Sequence, residues 1–272
     1  MAITTYDQLI IAYAQRLNYT KTNSITTVGG QPFLLLDRFG FPVNGSLNPG
    51  NTTNGIVPVS GNTGYPTIEA AVGSNELRVR SIDGTCSIAA SITIFDVLFA
   101  AGQTTIPTAG TTTIALTSRP SFTSRIPFMA DGVTRDFSAV ELYVLASTAL
   151  GAQAHTISVD YLDQGGAAGN TGNVSTNGLT VNRLVRLPLA SGDTGVSDVT
   201  GYNVNGVASA TGSVSILAMR RVARIRLNLS DLYGPDRTGF PQIFSTSALV
   251  AVINTDSASS GVFDLELEIA QG

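Results

Sequence analysis

The chain has 272 residues, of which only 12% are charged, with 15 basic and 19 acidic side chains and a net charge of −4, whereas about 25% is usual for a soluble domain. A compact monomer of this mass exposes roughly 11,000 Å², about 330 Å² for each charged group, too sparse for self-repulsion to hold free molecules apart. The 43% hydrophobic content excludes disorder. The longest apolar run, Ala248 to Ile253, is far shorter than the ~20 residues of a membrane helix. Cys86 is alone, which excludes an intrachain disulfide or a cysteine zinc site.

In chain order, residues 5 to 18 are predicted as a helix. Thr5 and Gln8 have the spacing of a capping box. Tyr6, Leu9, Ile10, Tyr13 and Leu17 fall on one face at helical spacing. Asp7 in the first turn and Arg16 near the last suit the helix dipole. Asp7, and no basic residue, precedes the apolar stretch Leu9 to Ala14, so no secretory signal is expected. A short lone helix is marginal in water, so its apolar face needs a surface, in this chain or a neighbour.

Residues 39 to 68 carry no charge, and half are Gly, Pro or Asn, which is repeated turn chemistry. Phe39, Phe41, Val43, Leu47, Ile56, Val57 and Val59 are too many apolar groups for a flexible linker. The reading is an extended arm ordered by contact with a partner. The alternative is a long surface loop of the same domain.

From residue 76 the apolar period becomes two. Eleven strands are predicted: Glu76 to Ile82, Ser87 to Phe99, Thr111 to Leu116, Ala139 to Ala146, His155 to Leu162, Arg183 to Leu189, Val196 to Val204, Ser213 to Met219, Ile225 to Leu229, Ala248 to Ile253 and Val262 to Ile269. Short strands bounded by turn residues indicate a mainly β fold, an antiparallel β-sandwich with the jelly roll as one form of it. The turns Gln164-Gly165-Gly166 and Asp193-Thr194-Gly195 read as hairpin connections. The domain division is 1–75 for helix and arm and 76–272 for the sandwich.

Candidate chemistry is thin. His155 is the only histidine, and nothing beside it resembles a nucleophile elbow, so an exposed or hydrogen-bonded strand histidine is expected. Asp160 with Asp163, Asp193 with Asp198, and Asp264 with Glu266 and Glu268 are the candidate calcium or glycosidase carboxylates. The last three alternate with Phe263, Leu265, Leu267 and Ile269, the mark of a solvated strand face. Gly165 to Gly169 lacks the ending of a phosphate loop. Arg220, Arg221, Arg224 and Arg226 form the one basic cluster, read as paired or solvated groups with an acidic protein interface as the sharper role. The acidic balance argues against nucleic acid. No enzyme activity, catalytic residue, metal or cofactor is expected.

Several segments resemble structural proteins of tailed-bacteriophage particles, of the capsid decoration (cement) or minor capsid type. These are Thr4 to Ile10 leading into the Gly/Pro-rich arm, Thr93 to Phe99, Glu141 to Val144, Val159 to Gly169, Leu187-Pro188-Leu189 with Ser191 to Val196, and Leu267 to Gly272. The resemblance implies a virion component with a β-sandwich and transfers no catalytic residue. It implies a protein on the outer phage head, assembled in the host cytoplasm, that bridges capsid subunits. Its partners would be the major capsid protein and copies of itself, as a trimer or dimer, with no membrane. The helix and arm would supply the contacts through Tyr6, Leu9, Ile10, Tyr13, Leu17, Phe39, Phe41 and Val43, with the four arginines as a second contact. The other reading is a tail, neck or fibre component whose sandwich binds glycans or a receptor.

Overall fold

Side chains that alternate between a buried and a solvated face build most of the long strands of the computed structural model, which describes residues 13–23, 26–47, 54–227, 236–237 and 239–272. The first strands in chain order are β1 (Tyr13–Asn23), β2 (Phe33–Leu34), β3 (Gly40–Phe41), β4 (Leu77–Cys86), β5 (Ala90–Thr105) and β6 (Gly110–Ala115). Then follow β7 (Val140–Ala146), β8 (Thr156–Asp163), β9 (Ala168–Asn170), β10 (Val174–Ser175), β11 (Leu184–Leu187) and β12 (Val196–Gly206). The last are β13 (Ser213–Leu227), β14 (Asp236–Arg237), β15 (Gln242–Ile243), β16 (Leu249–Thr255) and β17 (Gly261–Gln271).

The chain divides into two units. The first takes the described residues up to Ser46 with Val59–Asp96 and Arg221–Gly272, and the second takes Leu47–Pro58 and Val97–Arg220. The chain therefore passes from one unit to the other inside β5 and β13.

In the first unit one sheet has the order β14, β4, β17, β1, β3, with β15 also on β4. β16 lies between the start of β5 and β2, antiparallel to both. The apolar faces meet in one core that includes Leu17 and Tyr19 from β1, Val79 and Ile82 from β4, Ile92 and Ile94 from β5, and Leu265, Leu267 and Ile269 from β17. Each such side chain contributes about 1.5–3 kcal/mol by leaving water.

In the second unit a sheet has the order β10, β8, β12, β6, with β9 on β8. β7 lies between β11 and the first half of β13, antiparallel to both. Leu142, Val144, Ile157, Val159, Tyr202, Val204, Val214 and Ile216 belong to its core. One 3-10 turn, Thr123–Arg125, is the only helical element among the described residues.

The predicted N-terminal helix is corrected where it can be seen. Residues 13–18 are strand, paired residue by residue with β17 from Tyr13 with Ala270 to Asn18 with Glu266. Residues 5 to 12 of that prediction lie outside the described residues. The physical reason is a period of two carried by Leu17, Tyr19 and Lys21, all buried. A lysine on the inward face hides that alternation from a reading based on apolar residues.

Two further details differ. β13 is one strand where two were predicted, because Ala223, Ile225 and Leu227 keep an inward face through the arginine run. The Gln164-Gly165-Gly166 turn does join two paired strands, β8 and β9. The Asp193-Thr194-Gly195 turn instead lies between β11 and β12, which belong to different sheets.

Much of the charge-free stretch lies against its own chain. Leu47, Tyr65 and Ile68 are buried. Ile56 exchanges both backbone hydrogen bonds with Ala100, at 2.8 and 2.9 Å. Buried Arg125 donates to the carbonyls of Pro58 and Val97.

Candidate functional site

The exposed exception in that stretch is β3. It is the last strand of its sheet, with Thr20 opposite Phe41 and Lys21 opposite Gly40. Gly40 is required there: its φ is +131°, and a Cβ would lie 1.7 Å from the Thr20 carbonyl oxygen. Phe41 of β3, and Phe39 and Val43 in the backbone on either side of that two-residue strand, are 55%, 73% and 60% exposed. Val262 of β17 is also exposed, and it pairs with Thr22, whose amide donates to the Phe39 carbonyl.

Lys21 fastens this edge from the inside. It is buried, and its Nζ donates to the carbonyls of Arg38, at 3.2 Å, and Pro42. Burial lowers its pKa to about 8, against the opposing pull of Asp37. A buried ammonium is costly unless hydrogen-bonded, and two carbonyls on either side of β3 supply those bonds.

The remaining predicted contact residues scatter. Tyr6, Leu9 and Ile10 lie outside the described residues. Tyr13 opens β1, and Leu17 belongs to the chain's own core. Arg220 is buried, whereas Arg221, Arg224 and Arg226 are exposed. Arg224 donates to Ser91 at 2.8 Å. Arg226 stands 3.8 Å from Asp256 with both side chains largely in solvent, a pair that contributes little.

The candidate chemical groups are occupied by structure. His155 is buried, with Nδ1 2.8 Å from the Gln153 carbonyl. Asp160 accepts from Asn170 at 2.6 Å, and Asp163 accepts the amides of Gly165 and Ala167 at 2.8 Å. Asp193 accepts from the Tyr161 hydroxyl at 2.6 Å. Asp264 accepts from Thr20, while Arg16 pairs with Glu266 and Glu268 and Arg80 with Glu268. These last three carboxylates form a polar outer face, as their alternation predicts. Burial pushes the Cys86 thiol up, which keeps it protonated. No group of three His, Cys, Asp or Glu side chains among the described residues could hold a metal ion.

A polar cleft of about 410 Å³ lies in the second unit. Hydroxyls of Thr117, Ser118, Ser121, Thr123 and Ser197 line it, with Phe122, Phe137, Leu162 and the Arg119–Asp198 pair. Arg119 reaches Asp198 through Nε at 2.7 Å and Nη2 at 2.6 Å, and donates from Nη1 to the Leu116 carbonyl at 2.9 Å. Asp198 also accepts the Val199 amide at 2.8 Å. Asp198, a candidate partner of Asp193 in the sequence, pairs with Arg119 instead. The two residues of the pair are 79 apart, and no local pattern joins them.

No protein-family profile and no curated protein sequence matches the chain. Among solved structures it aligns with infectious bursal disease virus, Gt strain, at 10% identity over 95% of this chain and 81% of the other, with a TM-score of 0.19. The Gx strain gives 9% identity, the same coverages and a TM-score of 0.23. The VP2 subviral particle of that virus gives 10% identity, 96% and 82% coverage, and a TM-score of 0.20. Superpositions of this quality establish neither a shared fold nor a shared role.

Proposed function

We propose that the chain is a structural component of a bacteriophage particle, a capsid decoration protein that stabilises the head by bridging its subunits. The observation that carries this reading is the trio Phe39, Phe41 and Val43, three large apolar side chains exposed on and beside the edge strand β3. An exposed edge is a template for further pairing, and an apolar one favours a permanent neighbour. The sparse charge of the whole chain supports the same reading. So does the resemblance of its segments to phage virion proteins.

In this account each unit is a β-sandwich, and β3 docks on the major capsid protein or on a second copy of the chain. The role is mechanical rather than catalytic, in a dimer or trimer on the outer surface of the head. The test is mass spectrometry of purified particles separated into heads and tails. The account expects the chain in multiple copies on heads. Its absence from particles, or its recovery with tails alone, contradicts the proposal.

A further inference from the structure

We infer that the cleft of the second unit binds a neutral saccharide. This goes beyond the particle role and does not depend on it. At about 410 Å³ the cleft lies within the range of small-ligand sites, about 300–1,000 Å³.

Its chemistry selects the ligand class. The only ionisable side chains in the lining are Arg119 and Asp198, which neutralise each other. An anion would meet the carboxylate, and a cation the guanidinium. A purely apolar ligand would strip water from the surrounding hydroxyls without replacing those hydrogen bonds. A sugar complements the lining: its hydroxyls both donate to and accept from those of the serines and threonines, and its apolar C–H face suits Phe137 and Leu162.

The polar groups are held in place before any ligand arrives. Three N–H groups of Arg119 are engaged by Asp198 and the Leu116 carbonyl. Of the five on a guanidinium, two remain to donate. The Ser121 and Thr123 hydroxyls are 2.9 Å apart and already share a hydrogen bond. Pre-ordered groups lower the entropic cost of binding. Phe137 is half-buried and, with Leu162, gives the sugar's C–H face an apolar platform.

The test titrates the full-length chain with glucose, galactose, N-acetylglucosamine, cellobiose, lactose and chitobiose. N-acetylneuraminic acid and glucosamine serve as charged comparators. Calorimetry and saturation-transfer NMR read the binding. At least one neutral sugar is expected to saturate with a millimolar Kd, and both charged sugars to bind at least about tenfold more weakly, a loss of about 1.4 kcal/mol. Phe137→Ala is expected to weaken binding by a similar factor. Ser121→Trp, at an exposed position, fills the cleft without touching the core and is expected to abolish binding with the melting temperature unchanged. Failure of every neutral sugar at about 100 mM, far above the Kd of ordinary sites, overturns the inference. So does binding that survives Ser121→Trp, or tighter binding of a charged sugar.

Discussion

The ammonium of Lys21 on β1 donates to the carbonyl of Pro42, one residue past β3. The sole lysine of the chain is thus an internal tie rather than a solvated charge. It binds the backbone on both sides of Phe39 and Phe41, at Arg38 and Pro42.

This tie predicts a pH dependence. The folded pKa of Lys21 is about 8, below its ordinary value of 10.5. Between those values the unfolded chain binds the extra proton, so stability rises with pH. Above about pH 10 the trend reverses, because burial holds the Tyr19 hydroxyl well above its ordinary range and only the unfolded chain then loses the proton. The raised Cys86 thiol acts in the opposite sense over part of this range, so the effect is read as a difference: between pH 8 and 10 the urea midpoint of the wild type is expected to rise relative to that of Lys21→Met. An equal slope in the variant would show that Lys21 does not titrate in this way.

Phe39, Phe41 and Val43 give the opposite expectation for stability. They bury little within the chain, so changing all three to serine should shift stability by no more than about 0.5 kcal/mol per site, as for ordinary surface changes. The variant should also be more soluble and less associated. Denaturation and size-exclusion chromatography read both, and a large loss of stability would mean that the trio is core.

Arg125 is predicted to be structural. It is 1% exposed and donates to Pro58 in the charge-free stretch and to Val97 on β5. Arg125→Met removes both donors and leaves their carbonyls without them, a cost of about 3 kcal/mol. The loss should appear as faster proteolysis between residues 54 and 58. Unchanged cleavage and melting would contradict that role.

Asp96 is the corresponding anchor in the first unit. It is fully buried and accepts from Ser247 at 2.7 Å and from the Ala248 amide at 2.9 Å. Asp96→Ala strands both donors and is expected to cost about 2–3 kcal/mol. Ser247→Ala removes one donor with its bond and should cost less. Equal losses in thermal unfolding would refute this ordering.

The sequence was legible along longer strands whose inward face is apolar. The predicted strand Val196 to Val204 is β12 (Val196–Gly206), and Ala139 to Ala146 is β7 (Val140–Ala146). Legibility failed at β1, where Lys21 occupies an inward position and the helical stripe borrowed Leu17. It failed again at β3, where the exposed face is apolar and the strand is two residues long. Phe39, Phe41 and Val43 stand out in the sequence as apolar residues in a charge-free stretch, and in the structure they are exposed. The Arg119–Asp198 pair does not stand out, because a contact across 79 residues leaves no trace in local spacing.

Binding to the particle is assigned to Phe39, Phe41 and Val43 at the β3 edge. Its most direct test is co-sedimentation of the purified full-length chain with phage heads depleted of it. The wild type is expected to bind saturably, and the triple variant Phe39→Ser, Phe41→Ser, Val43→Ser to lose at least about tenfold in affinity, which corresponds to about 1.4 kcal/mol. Equal binding by the two proteins, or none by the wild type, would contradict the account.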